Sequence, residues 1–92
     1  MAPAQARQNY DSKLEEAINN QINNELLASY TYLSMANHFG RVEIAMAGAQ
    51  AFFLKQSYEE REHAQKLIDY QLKRGGRVIL HDVIVGESCI YV

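Results

Sequence analysis

The sequence predicts an all-α protein, an antiparallel helical hairpin followed by an extended strap, and three observations carry that prediction. Ile18, Ile22, Glu25, Ser29, Tyr32, Ala36 and Phe39 follow one another at alternating steps of four and three, the spacing of a helix seam packed against a partner. Ala49, Phe53, Gln56, Glu60, His63, Leu67 and Tyr70 repeat the rule. Between the two runs lies Gly40 to about Ala45, short enough to fold the second helix back on the first.

Residues 1 to about 10 read as a polar arm. Asp11 or Ser12 is the expected N-cap, with Glu15 three residues after Ser12 completing a capping box. The first helix is predicted over about 13–39, stopped by Gly40, and the second over about 47–74, with Gly48 just inside its start. Gly75-Gly76 ends it, and Lys73 and Arg74 stand in the last turn, where cations favour the helix dipole. From Arg77 the pattern changes: Val78-Ile79-Leu80 and Val83-Ile84-Val85 are β-branched and apolar with no helical period. Residues 75–92 are therefore read as loop, strap and tail, and 1–92 as one domain. A lone hairpin shares only one face, so Leu26, Tyr30, Leu33, Phe52 and Leu54 are expected to stay partly in water unless other helices cover them.

Nine basic and eleven acidic residues give a net charge of -2 with no basic stripe, which argues against a nucleic-acid partner. The amino terminus has no apolar core of a secretory signal and no apolar run approaches a membrane span, so a cytoplasmic protein without a membrane partner is expected. The single cysteine, Cys89, reads as an incidental thiol.

The chemistry resides in Glu60-Arg61-Glu62-His63 and in Glu25. A carboxylate and an imidazole at i and i+3 stand about a turn apart on one helix face and are able to converge on one cation. Glu25 interrupts an apolar seam, where a buried carboxylate needs a partner. Counting fourteen residues back from Phe39 reaches Glu25, and fourteen forward from Met46 reaches Glu60. Each lies roughly 21 Å from the turn, so Glu25, Glu60 and His63 are expected to face one another. Hard carboxylates with one imidazole suit iron or manganese, and zinc fits the same ligands. His38 and His81 fall off the inward lines and read as surface or loop residues, and Glu15, Glu16, Glu43 and Glu87 have no expected convergent partner.

Gln21-Ile22-Asn23-Asn24-Glu25-Leu26-Leu27-Ala28-Ser29-Tyr30-Thr31-Tyr32-Leu33-Ser34-Met35 and Gln56-Ser57-Tyr58-Glu59-Glu60-Arg61-Glu62-His63-Ala64-Gln65-Lys66-Leu67 closely resemble the first two helices of the catalytic, heavy-chain type of animal ferritin. Arg74-Gly75-Gly76-Arg77-Val78 resembles the start of that family's long loop, and the likeness covers about residues 6–84. It implies half of a four-helix bundle, iron storage, and Fe(II) oxidation by O2 at a di-iron centre in a shell of many subunits. Glu25, Glu60 and His63 fall on the family's ligands to the first iron, with Glu60 on the carboxylate that bridges to the second. Tyr32 falls on the tyrosine beside the centre. Glu59 and Glu62 fall on inner-surface acids that nucleate mineral, and Gln65 stands where a third acid is common.

The sequence also departs from the family. No counterpart of the third, fourth and fifth helices follows, so a truncated ferritin-like domain is expected. Val85 to Val92 diverge, and Gly86-Glu87-Ser88 can be back-translated through a splice-donor-like GGTGAGT, which admits intron read-through as their origin. Ala49 replaces a bulky aromatic residue, and Val42-Glu43 replaces an acidic pair. Three outcomes follow: a dimer that doubles the ligand set and oxidises iron, a non-catalytic chain that co-assembles with ferritin subunits, or a piece without function.

Overall fold

The computed structural model describes Arg7 and residues 9–83. The expectations for the first six residues and for the tail from Ile84, with Glu87 and Cys89, lie outside them. Two helices make up the described fold: α1 over Ser12–Phe39 and α2 over Ala47–Lys73. Neither is long and apolar enough to cross a membrane. The Met46 N–H donates to the Phe39 carbonyl at 2.9 Å and closes the turn. From there the Tyr32 ring stacks on Phe53, Ser29 meets Ser57, and Gln71 reaches Glu15. Each step back along α1 is matched to within one residue by a step forward on α2, as the spacing predicts.

Asp11 is the N-cap, its carboxylate accepting from the Lys13 N–H at 2.9 Å. The capping box expected of Glu15 does not form, because its carboxylate is drawn away to Arg7 and Arg77. Gly40 ends α1 as predicted, but with φ −86. A Cβ there would meet only the Gln50 amide, the movable end of a flexible side chain. Near the turn, where the sequence departs from the family, Phe39 stacks on Phe53 with centroids 5.5 Å apart, and Glu43 pairs with Arg41. The end of α2 is a Schellman motif: the Gly76 N–H donates to the Gln71 carbonyl, the Gly75 N–H to Leu72, and Gly75 takes φ 78.

The seam of α1 lies as predicted, with Ile22 and Ala36 fully buried. In α2 the seam is rotated by one residue from the expected line. Ser57, Ala64 and Gln71 are the buried residues, whereas His63 and Tyr70 are exposed. The rotation follows from two satisfied polar contacts that residue type alone does not reveal. Ser29 Oγ donates to the Ser57 carbonyl at 2.8 Å and Ser57 Oγ to the Ser29 carbonyl at 2.7 Å, so small residues let the helices approach. The expected line of α2, with Ala49, Gln56, His63 and Tyr70, is a second seam beside the one that closes the hairpin. On α1 a matching second seam, Leu14, Gln21, Ala28 and Met35, runs beside the first at steps of seven.

Beyond Gly76 the strap is held against α1 by a row of side chains at i, i+4. The Arg77 N–H donates to Glu15 Oε2 at 2.8 Å, the Asn19 amide donates to the Arg77 carbonyl and accepts from the Ile79 N–H, and the Asn23 amide donates to the Ile79 carbonyl and accepts from the His81 N–H. Four helical residues rise about 6 Å and two extended ones about 6.6 Å, which is why one row serves alternate strap residues. The arm is docked as well: Tyr10 is buried with its hydroxyl on the Gln71 side chain, and Arg7 grips Glu15. Two expectations are thereby corrected. The polar arm is tied down at Arg7 and at Tyr10, and Glu15 has convergent partners, supplied by segments distant in sequence that a local reading does not pair with it.

Candidate metal centre

Glu25 is the fourteenth of the 28 residues of α1, and Glu60 the fourteenth of the 27 of α2. Both are carried on helix seams, so their side chains meet at the middle of the hairpin. His63, one turn on from Glu60, turns its ring back toward both: Nδ1 lies 3.6 Å from Glu60 Oε1 and 3.7 Å from Glu25 Oε2. One ligand atom from each of the three residues lies within 4.8 Å of the others. The two carboxylates are mostly covered, whereas the His63 side chain is 53% exposed, so the cluster opens to one side.

Two carboxylates at this distance cannot both ionise without cost. The acidity of Glu25 is strengthened, its pKa lying below the usual carboxylate range because Glu60 hydrogen-bonds to it, with help from the Gln21 amide and the His63 ring. The pKa of Glu60 is raised by the same hydrogen bond, by burial and by the neighbouring Glu25 charge. A cation placed between the two carboxylates satisfies both oxygens at once.

Sequence reasoning missed one part of the centre. Gln21 Nε2 donates to Glu25 Oε1 at 2.8 Å and fixes that carboxylate from a turn away. A glutamine four residues before a seam glutamate was the available signal. The remaining expected site residues stand apart. Tyr32 is two turns, about 10 Å, further along α1, with its ring on Phe53. Glu59 is half-buried beside Glu60, and Glu62 is exposed; neither belongs to the three-residue cluster. Gln65 is engaged by Asp69, to which its amide donates at 2.9 Å. His38 is half-buried with its Nδ1 enclosed and unpaired, while His81 is exposed on the strap.

The model of the ferritin-like domain matches residues 15–90, which takes in the first helix from Glu15 on, all of the second, the strap and most of the segment beyond Ile84. The chain belongs to the ferritin family. It is 57% identical over 83 residues to the soma ferritin of Lymnaea stagnalis, an alignment covering 90% of this chain and 48% of that protein. The chain thus spans about half the length of the curated relative it matches. Its two helices are the ferritin hairpin, half of a four-helix bundle.

Proposed function

We propose that this chain binds Fe(II) at Glu25, Glu60 and His63 and supports its oxidation by O2, as a cytoplasmic ferritin-type protein that associates with itself or with other ferritin chains. The observation that supports this reading is the convergence of three hard or borderline donors within 4.8 Å at the midpoint of the hairpin. Iron is here the substrate. Anionic oxygen ligands favour Fe(III) over Fe(II) and so ease the loss of an electron to O2. Glu25 and Glu60 supply that charge, His63 adds a neutral donor at the open side, and Gln21 holds Glu25 in place. Tyr32, two turns further along α1, is the tyrosine the resemblance assigns to the centre, and Glu59 and Glu62 offer carboxylates to the ferric product.

Anaerobic Fe(II) titration of two variants tests the assignment. Glu60→Ala removes a seam ligand and is expected to weaken binding at least tenfold, whereas Glu62→Ala, on the exposed side, changes it less than twofold. Equal losses would remove Glu60 from the centre. A second reading, iron binding without turnover, draws on the cluster's three ligands, Glu25 and the Glu60–His63 pair, which suffice for one ion. Oxidation no faster than that of Fe(II) in buffer, with binding intact, selects it.

A further inference from the structure

We propose that Gln21 sets which ions the centre accepts: its amide turns one oxygen of Glu25 away from the cluster, so that Glu25 meets an ion through a single oxygen and a large, oxygen-rich cation is rejected. The proposal rests on the metal-binding reading above and adds a specificity-determining residue that is not itself a ligand.

The two oxygens of Glu25 have different surroundings. Oε1 accepts from Gln21 Nε2 at 2.8 Å, whereas Oε2 is the oxygen that lies 3.7 Å from His63 Nδ1. Gln21 stands one turn before Glu25 on α1, and His63 stands on the facing helix α2. The hydrogen bond therefore pulls Oε1 back along α1 and leaves Oε2 directed across the hairpin toward the other two ligands. One ligand atom from each of Glu25, Glu60 and His63 is what converges within 4.8 Å. The Glu25 side chain is only 18% exposed, so little water competes with the Gln21 amide for Oε1. Glutamine suits this task because its amide donates without carrying charge. A lysine there holds the same oxygen but repels the ion.

The number of oxygens a carboxylate offers sorts cations by size. Ca(II) gathers about six to eight oxygens at about 2.3–2.6 Å and takes carboxylates through both oxygens. An ion that binds a nitrogen and single carboxylate oxygens at about 2.0–2.2 Å, as Zn(II) does, loses nothing when Oε1 is engaged elsewhere. Fe(II) accepts the same mixed donor set. Releasing Oε1 lets Glu25 swing both oxygens onto one ion, and the larger cation gains by it.

Competition between Fe(II) and Ca(II), run anaerobically on the 92-residue chain and on Gln21→Met, provides the test. Methionine keeps the length and helix propensity of glutamine but has no N–H to donate. The variant is expected to bind Fe(II) about threefold more weakly and Ca(II) about threefold more tightly, which narrows the preference about tenfold. Gln21→Lys keeps a donor on Oε1, and it is expected to weaken both ions while leaving their ratio unchanged. Infrared spectra of the Ca(II)-loaded chains read the carboxylates directly, because the gap between antisymmetric and symmetric stretches is wide for one-oxygen binding and narrow for chelation. A narrow pair absent from the parent is expected in Gln21→Met. A role for Gln21 in helix stability alone would weaken both ions equally in Gln21→Met. That result, or infrared spectra that coincide, overturns the proposal and leaves the binding reading standing. A ratio that shifts in Gln21→Lys as far as in Gln21→Met also overturns it. A parent chain that binds no Fe(II) overturns both.

Discussion

Glu15 is predicted to couple the arm to the strap, and Glu15→Gln measures the coupling. Its carboxylate accepts two hydrogen bonds from the Arg7 guanidinium, at 2.8 and 2.7 Å, and a third from the Arg77 N–H at 2.8 Å. These bonds, the Arg7 contact foremost, hold its pKa down at about 2, against 4.5 for a free glutamate. A shift of that size corresponds to about 3 kcal/mol. The Arg7 side chain is 42% exposed and solvent screens it, so about 1–2 kcal/mol is the stabilisation expected to survive. Because the folded pKa is depressed, that contribution is fully present above pH 4.5 and is lost as pH falls toward 2. Denaturant titration of the parent chain and of Glu15→Gln, at one fixed chain concentration, is expected to show the variant about 1–2 kcal/mol less stable at pH 7, with the gap closing between pH 4.5 and 2. A gap that is absent at pH 7, or that holds its size down to pH 2, would show that the Arg7–Glu15–Arg77 contact contributes nothing through its charge.

Gly75→Ala is expected to cost about 1–2 kcal/mol. The residue takes φ 78, and an added Cβ would lie 2.8 Å from the Arg7 backbone nitrogen; thermal unfolding reads the loss, and an unchanged midpoint refutes the strain. Replacing Asn23 with Ala removes the partners of the Ile79 carbonyl and the His81 N–H. Hydrogen exchange at His81 is expected to speed at least tenfold while that of the Ile22 amide in α1 stays the same; parallel acceleration of both would mean that Asn23 supports the helix and not the strap.

The sequence carried the hairpin more fully than it carried the contacts that finish it, and the reason lies in what each depends on. Helix limits, the turn and the level of Glu25 against Glu60 follow from local spacing and from a rise per residue that all helices share. The second helix was misread by one residue because burial was inferred from side-chain type. Ser57 and Gln71 look like surface residues, yet Ser57 exchanges hydrogen bonds with Ser29 and Gln71 is satisfied by Tyr10, Glu15 and Arg77. The same blindness hid Glu15, whose partners come from eight residues before it and sixty-two after it. A polar residue can be buried once its hydrogen bonds are made, and which bonds are made is a property of the assembled chain. The misread line still had meaning. Ala49, Gln56, His63 and Tyr70 do form a heptad seam, one that the hairpin leaves open, and the exposed imidazole of His63 lies on it. Periodicity records every seam a helix was built with, whereas a single hairpin displays only the one it fills. That excess of pattern over contact is the physical trace of a bundle in the two described helices.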